Sequence, residues 1–431
     1  MMFRWASAIL TPTQRWRWLA FGAWLLLEIV IIVVTRVTSA SPNGGDLCRD
    51  YVDAQRLLHG QDPYAPFASC GDLHHSPHPP LALLVLVPFA LVSIGTAALL
   101  WDLLMLAALA GALWLIWDEL RPTLDPRWMA AGLAIITIWS PLLDTWLEAQ
   151  IGPLILLLLV LAWRARRRGH PWAAGIWLAV ATLLRLYPVL LFLYPLLRRE
   201  WRMAGGGIAA GAGITLLTLP FTHPAAYFTY ITREAPGSSA EWINDSHNVS
   251  LRGWLAQWFV GNNTIHPVIH APGIVTPLFV LGVLAMLALV VWGGWLARET
   301  LIGSSMDDLA WLLVIPAMLV ISPLAWPHYF DVLLLPWLVV GHALWRRGRW
   351  DVTVWLLLAA VALPNVQAIG LQVLLPLPRI LAWPAGIFVF ALPFYGLVLS
   401  LVAHWQTLAM ARMRDARAFH RQPVTNVLST D

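Results

Sequence analysis

Three aspartates with helical spacing follow the first long apolar segment of this chain. Asp46, Asp50 and Asp53 lie in the sequence GGDLCRDYVDAQ. Charge is costly near a bilayer, so ionisable side chains beside an apolar segment are functional candidates. A carboxylate at a water–lipid boundary can take a proton from a hydroxyl group. Asp46 is the first candidate for this chemistry, although an aspartate after Gly44-Gly45 is also an ordinary helix N-cap.

The residues after Asp46 have the pattern of a short amphipathic helix up to Gly60. Its apolar side would carry Leu47, Tyr51, Ala54, Leu57 and Leu58. This pattern predicts a helix that lies on the membrane surface. Asp50 and Asp53 are then expected on the solvated face.

A single arginine interrupts the apolar stretch 171–197. Arg185 is far from the arginines that flank this stretch, and it is followed by Leu186-Tyr187-Pro188. The stretch is too short for two full membrane spans of about 20 residues each. Because Pro188 disfavours a continuous helix, we predict a hairpin of two half-length helices that meet at Arg185. A guanidinium there suits a lipid phosphate, and the alternative is a snorkelling or packing residue.

Polar residues also gather in two later segments. Asn248, Ser250 and Arg252 precede another apolar stretch, and they are candidates for binding sugar hydroxyls or phosphate. His328 follows Pro323 and Pro327 at the end of a span. It is a candidate phosphate ligand or proton shuttle, with a structural interfacial histidine as the alternative.

Histidines and cysteines near the first loop allow two further hypotheses. The HHSPHPP run contains His74, His75 and His78. Because these histidines lack a fixed helical spacing, solvated side chains are favoured over a metal site. Cys48 and Cys70 lie in the same predicted external loop. A disulfide and two free thiols are both open, and an oxidising compartment would favour the disulfide.

The composition is that of a polytopic membrane protein. Of 431 residues, 59% are hydrophobic and 12% are charged, and all 27 basic residues are arginine. Arginine clusters mark the cytoplasmic side, which places the polar stretches 40–78 and 221–270 outside. The net charge of +4 therefore reflects the cytoplasmic arginine clusters and does not indicate nucleic-acid binding.

The apolar pattern predicts the number of membrane segments. The first, about 17–39, is long enough to span and lacks a small-residue cleavage site. Three crossings are expected from 79–95, 97–117 and 128–163, with the last broken between Pro141 and Pro153. Including the half-length helices, we expect about 12 segments within a single membrane domain, residues 1–431.

Six sequence pieces in this order resemble a known family. They are GGDLCRDYVDAQRLLHGQDPY, SPHPPLALLVLVPFALV, EAQIGPLILLLLVLAWRARRRG, AGIWLAVATLLRLYPVLLFLYPLLRREWR, NVSLRGWLAQWF and SPLAWPHYFDVLLLP. The chain is similar over about residues 40–340 to the GT-C superfamily of membrane glycosyltransferases, most closely family 87. That family uses polyprenol-phosphate-mannose donors. The resemblance implies an all-α fold with two long extracytoplasmic loops.

The resemblance also implies roles for individual residues. Asp46 stands where the family usually has an aspartate, and it would be the general base. Arg185 stands where the family often has lysine, and it would hold the donor phosphate with His328 and Arg252. Gln150 precedes Gly152 here, whereas the family tends to show Gly-Gln. The further candidates for substrate binding are Asp50, Tyr51, Tyr64, Gln150, Tyr187 and Asn248.

The implied reaction transfers one sugar, mannose by family default, to a hydroxyl of a glycolipid or glycan with inversion. It would occur on the extracytoplasmic side of the cytoplasmic membrane, without a nucleotide, metal or other cofactor. Three alternatives stay open. They are a transporter or flippase of lipid-linked sugars, a ligase that moves a whole glycan polymer, and a non-catalytic membrane subunit.

Overall fold

The computed structural model describes residues 12–38, 45–65, 70, 78–120, 126–262, 265–374 and 379–421. Regular structure in these ranges is helical throughout, so the prediction of an all-α membrane protein is confirmed. The α-helices are α1 Pro12–Thr38, α2 Leu47–Leu58, α3 Pro80–Leu86, α4 Ile94–Leu120, α5 Pro126–Thr137, α6 Ser140–Leu147, α7 Gly152–Arg167, α8 Pro171–Leu184, α9 Leu193–Leu197, α10 Trp201–Thr229, α11 Ala235–Trp242, α12 Leu251–Phe259, α13 Val275–Leu296, α14 Ser305–Leu312, α15 Val314–Ile321, α16 Leu334–Trp345, α17 Val352–Leu374 and α18 Arg379–Arg421.

Six helices in the described part are long and apolar enough to cross a membrane. They are α1, α4, α10 with its extension to Trp242, α13, α17 and α18. Helices α5 and α6 meet at a bend of 51° and provide a seventh if they form one span. The expected total of about 12 included half-length segments, and the shorter apolar helices Pro80–Leu91, Pro171–Leu184 and Tyr187–Leu197 are of that kind.

Ion pairs hold several helix ends together at one end of the bundle, which we call the arginine end. Arg164 pairs with Asp118, and Arg167 and Arg168 bond Glu119 at 3.2 and 3.1 Å. These contacts join the last turns of α4 and α7. Since both helices finish at the arginine end, α5 and α6 must carry the chain back to the opposite end.

The apolar stretch 79–95 forms two short elements and no helix of membrane-spanning length. Helix α3 and the 3₁₀ turn Val87–Leu91 lie along α2, and tyrosines tie both ends of the stretch to the first loop. The Tyr64 hydroxyl donates to the His78 carbonyl at 2.9 Å, and the Tyr51 hydroxyl donates to the Val92 carbonyl at 2.7 Å. Twelve helical residues reach about 18 Å, less than the hydrocarbon core of about 30 Å. We therefore infer that α4, α5–α6 and α7 make the three crossings, in place of the crossing predicted for 79–95.

The chain breaks its helix at Arg185 within the stretch 171–197. Helix α8 ends at Leu184, Arg185 is extended (φ −148°, ψ 134°), and a 3₁₀ turn begins at Tyr187. Helix α9 follows and ends next to Arg198, which donates to the Thr300 carbonyl at 2.8 Å. Helix α8 therefore starts and α9 finishes at the arginine end, and the turn that joins them follows Arg185 within the bundle.

The polar stretch 221–270 is more helical than a loop. Helix α10 is interrupted at His223 (φ 60°, ψ 145°), between Pro220 and Pro224, and a π turn at Tyr230–Glu234 leads into α11. Ser250 then caps α12, since its Oγ accepts from the Gly253 amide at 3.1 Å. Ala226 and Tyr230 pack against α2 and α3.

Candidate active site

Asp46 immediately precedes α2, but its side chain does not cap that helix. Its Oδ2 instead accepts a hydrogen bond from Gln150 Nε2 at 2.7 Å, while the residue stays exposed. A long-range bond of this kind is not what an ordinary N-cap makes, because a cap accepts from the amides of its own helix. The geometry therefore favours a role for the carboxylate beyond the start of α2.

Glu148 lies beside Asp46, and sequence reasoning did not select it as a site residue. The Asp46 amide faces Glu148 Oε2 at 3.4 Å. Gly45 has φ +50°, and a Cβ there would lie 1.8 Å from the same oxygen. Only glycine permits this approach. The available signal was the position of Glu148 in the polar break between Pro141 and Pro153.

Arg185 occupies the other end of a hydrogen-bond chain that begins at Asp46. Its Nη2 donates to Gln150 Oε1 at 3.0 Å, and its Nη1 donates to the Tyr329 hydroxyl at 2.9 Å. The residue is 6% exposed. Within the described ranges no carboxylate forms an ion pair with it. A buried guanidinium with neutral partners is costly, so an anionic ligand would stabilise this arrangement.

Aromatic side chains surround the Arg185 guanidinium. Tyr329 lies under it at 5.1 Å, and the Tyr187 and Tyr329 rings stack at 5.4 Å. Tyr187 was predicted at this site, whereas Tyr329 was missed. The signal for Tyr329 was its place next to His328.

Asp50 and Asp53 are buried, contrary to the prediction of a solvated face. The stretch 78–93 covers this side of α2, and a sequence pattern within α2 cannot reveal a distant partner. Asp50 Oδ2 lies 3.2 Å from His78 Nδ1. Burial raises the pKa of Asp50 to about 7, against the opposing effect of Arg185. Burial, together with Arg185 and Arg49, lowers the pKa of His78 well below its usual value. This imidazole is therefore neutral at pH 7.

His328 lies next to Tyr329 and close to the Arg185 site. Its Nδ1 is 2.9 Å from Asp144 Oδ2, and its ring is 5.1 Å from that of Tyr329. Trp326 stacks on the same imidazole at 6.5 Å. His328 is thus beside the tyrosines that contact Arg185, and its Nδ1 is held by the Asp144 carboxylate.

Several predicted ligand-binding residues have structural partners instead. Asn248 is fully buried, and its amide bonds the Pro323 carbonyl at 3.2 Å and the Ala325 amide at 3.1 Å. It fastens the segment before α12 to the segment after α15, and its predicted role in sugar binding stays a prediction. Arg252 packs over Phe279 at 5.6 Å and has no recorded contact with Arg185. Tyr51 and Tyr64 hold the stretch 78–93 through the carbonyl bonds described above.

Cys48 and Cys70 are joined by a disulfide, with their Cα atoms 5.8 Å apart. The bond ties α2 to the segment that follows it. His74 and His75 lie outside the described residues. Among those that are described, no three histidine, cysteine, aspartate or glutamate side chains form a potential metal-binding group.

Comparisons with known proteins point to one family. The model of glycosyltransferase family 87 matches residues 77–323, more than half of the chain. A "polyprenol-phosphate-mannose-dependent alpha-(1-2)-phosphatidylinositol mannoside mannosyltransferase" of Mycolicibacterium smegmatis is 29% identical over 372 residues, 80% of this chain and 79% of that protein. A "polyprenol-phosphate-mannose-dependent alpha-(1-2)-phosphatidylinositol pentamannoside mannosyltransferase" of Mycobacterium tuberculosis is 30% identical over 328 residues, 73% and 70% of the two chains.

Among solved structures, ArnT from Cupriavidus metallidurans bound to undecaprenyl phosphate aligns with 94% of this chain and 82% of its own. The identity is 15% and the TM-score is 0.34. The family match includes Gln150 and Arg185 and begins after Asp46.

Proposed function

This chain belongs to glycosyltransferase family 87 of the GT-C superfamily, and from that premise we propose that it transfers one mannosyl residue from a polyprenyl-phosphate carrier to a hydroxyl of a glycolipid or glycan. The names of its relatives support this donor and an acceptor of the phosphatidylinositol mannoside class. The protein is an integral membrane glycosyltransferase. We place its reaction on the extracytoplasmic side of the cytoplasmic membrane because the site lies opposite the arginine end.

The hydrogen-bond chain Asp46–Gln150–Arg185 is the observation that carries the proposal. It holds a carboxylate and a guanidinium on opposite sides of one glutamine amide. A displacement at a sugar carbon needs a base on one side of that carbon and an anion-stabilising group on the other. The structure supports such a division, with Asp46 towards solvent and Arg185 buried among tyrosines.

Arg185 is the group that we assign to the donor phosphate. Its guanidinium can offer paired N–H donors to phosphate oxygens, and the low dielectric of a buried site strengthens their attraction. As the bond between the sugar and the phosphate breaks, negative charge grows on the leaving phosphate. Arg185 would stabilise that charge, and His328, beside Tyr329, would assist.

Asp46 is the group that we assign to the acceptor. It takes the proton of the attacking hydroxyl as the oxygen forms a bond to the anomeric carbon from the face opposite the phosphate. The configuration therefore inverts, and a β-linked donor gives an α-linked product. The phosphate leaves without a proton, so one carboxylate suffices, whereas glycosidases need two.

The test is a transfer assay in lipid with the wild type and three variants. Purified protein is incubated with radiolabelled polyprenyl-phosphate-mannose and a membrane-lipid acceptor extract. Asp46→Asn should lower kcat by at least about 100-fold with little change in donor affinity. Arg185→Ala should weaken donor binding far more than acceptor binding. Asp62→Asn is the matched control for Asp46, because Asp62 is an exposed aspartate of the same region that only bonds the Tyr64 amide.

Near-normal turnover by Asp46→Asn would reject the base assignment, and unchanged donor affinity in Arg185→Ala would reject the phosphate assignment. If the wild type moves intact donor across a vesicle bilayer and transfers no sugar, the transporter alternative replaces the proposal.

A further inference from the structure

The last two residues of α6 and the turn after them, Trp146 to Gln150, present both Glu148 and Gln150 to Asp46, and we call them the 146–150 loop. Ala149 within it has φ 49°, a conformation that residues other than glycine rarely adopt. Such a conformation persists only where the surroundings enforce it, and it is typical of functional sites. The groups that enforce it are candidates for a role in sugar transfer, a role that rests on the proposed function.

Side chains of α1 and α4 bind the carbonyl groups of this loop. Trp101 Nε1 donates to the Ala149 carbonyl at 2.8 Å. Arg36 donates to the carbonyls of Trp146 and Leu147, and its Nε bonds Asp102 at 2.6 Å. Arg36, Trp101 and Asp102 are all buried. Three of the five loop carbonyls are therefore held from outside the loop.

A buried carboxylate fixes the first residue of the loop. Glu28 of α1 is fully buried and accepts from Trp146 Nε1 at 3.2 Å, from Trp24 Nε1 at 3.0 Å and from Thr137 at 2.6 Å. It connects α1 with α5 and α6. A buried polar group with every partner in place gives a rigid support, since breaking any one bond leaves another group unsatisfied.

We propose that Trp101 and Arg36 are positioning residues for sugar transfer, which act by fixing the 146–150 loop so that Gln150 bridges Asp46 and Arg185. Neither residue contacts Asp46 or Arg185 in the structure. Their effect on the reaction passes through the Gln150 amide. A loop that shifts by about 1 Å would separate Asp46 from the reacting carbon and lower the rate by about 10- to 100-fold.

Trp101→Phe is the sharpest probe, because it removes the indole N–H that holds Ala149 and keeps an aromatic side chain at this position. It also removes buried volume, an effect that the control variant shares. Removal of Arg36 would leave Asp102 buried without its partner, so that variant is prone to misfold. The matched control is Trp163→Phe. It also removes a buried indole hydrogen bond, from Nε1 to Asp308 at 3.1 Å, but at the arginine end.

The experiment is a double-mutant cycle in which both mannosyl transfer and thermal unfolding are measured. Trp101→Phe should lower kcat by about 10-fold or more in the wild type and have no further effect in Gln150→Ala. Its effect on the unfolding midpoint should be equal in both backgrounds. Trp163→Phe should also shift the unfolding midpoint. Its effect on kcat should be the same whether residue 150 is glutamine or alanine. Equal kcat losses for Trp101→Phe in both backgrounds, or no loss, would overturn the proposal.

A second measurement does not depend on activity. Asp46→Cys combined with Gln150→Cys is treated with a short bis-maleimide, and the linked peptides are quantified by mass spectrometry. The yield should fall several-fold when Trp101→Phe is added and stay unchanged with Trp163→Phe. An unchanged yield with Trp101→Phe overturns the positioning role even if the protein transfers a sugar other than mannose. A fallen yield without any transfer would reject the proposed function alone.

Discussion

The positive potential around Arg185 depends on the charge of Asp50, a buried residue of α2 that interacts electrostatically with it. Asp50 has a pKa raised to about 7 by burial, while its partner His78 stays neutral. Asp50 is therefore neutral below pH 7 and negative above it. When negative, it opposes the positive potential that Arg185 offers to a phosphate. A donor phosphodiester keeps its single negative charge between pH 6 and 8. Any change in donor binding over this pH range therefore comes from a change in the charge of the protein.

The KM for the donor should rise as the pH increases through about 7. The expected rise is about 3- to 10-fold, equivalent to about 1 kcal/mol of lost attraction at a moderate dielectric. Asp50→Asn should give a low donor KM that is constant between pH 6 and 8. Steady-state kinetics with varied donor at fixed acceptor measures this. A pH-dependent KM that survives in Asp50→Asn would assign the titration to another group.

Individual site residues were predictable where a charged side chain lies within or directly after an apolar stretch of the sequence. Arg185 stands alone in an apolar stretch, and Asp46 follows glycines at the end of one, so both were candidates from sequence. Gln150 was suggested only by the family resemblance. The burial of Asp50 was not predictable, because its partner is an apolar stretch 30 residues away that resembles a membrane span. The backbone partners of Asn248 were not predictable either, because in a sequence a polar residue that bonds backbone groups resembles one that bonds a ligand.

Close packing of α8 against α10 determines where Arg185 stands. A Cβ on Gly175 would lie 2.1 Å from the Met203 carbonyl oxygen and 2.7 Å from the Gly207 nitrogen. Small residues allow membrane helices to approach in this way. Since α8 ends at Leu184, any displacement of α8 also moves Arg185. The helix contact therefore connects stability with donor binding.

Gly175→Val should destabilise the protein by about 1–3 kcal/mol or more and raise the donor KM, because α8 must move away from α10. Thermal unfolding in detergent and donor kinetics provide the two measurements. Gly211→Val is the control, since a Cβ at Gly211 of α10 meets no atom within 4 Å. If both valine variants lose stability equally, helix propensity and not close packing would explain the effect.

Helix breaks were predictable near prolines. Pro188 follows an isolated arginine, and the helix ends at Leu184. Further along, the helix that begins at Trp201 is interrupted at His223 (φ 60°, ψ 145°), immediately before Pro224. Proline removes one helix hydrogen bond and disfavours the helical conformation in the residue before it. The course of the chain after each break, a 3₁₀ turn after Arg185 and a further helix after His223, depends on packing that is absent from the local sequence.

The complete bundle has chemically distinct ends. Arginines at the end of α7 pair with carboxylates of α4, of α14 and of the α9–α10 connection at one end, including the Arg166 pairs with Glu200 and Asp307 at 2.6 Å. The opposite end carries α2, the disulfide and the Asp46–Gln150–Arg185 chain. The positive-inside tendency predicts that the arginine end is cytoplasmic. The site would then face the oxidising compartment, where a disulfide persists.

Single cysteines should reveal this orientation and the path of the stretch 79–95. His59→Cys and Gly95→Cys should react with a membrane-impermeant maleimide in intact cells, whereas Arg168→Cys should react only after permeabilisation. All three positions are exposed. The wild type is the control, because its Cys48–Cys70 disulfide offers no thiol.

Gly95 is the decisive position because the two topologies place it on opposite sides. A crossing by 79–95 would bring Gly95 to the side of Arg168, whereas α3 lying along α2 keeps it on the side of His59. If Gly95→Cys, like Arg168→Cys, reacts only after permeabilisation, the stretch 79–95 crosses the membrane as hydropathy predicts. Labelling of Arg168→Cys alone in intact cells would invert the protein in the membrane and move the site to the cytoplasm. Donor and acceptor would then have to be sought among the lipids of the inner leaflet.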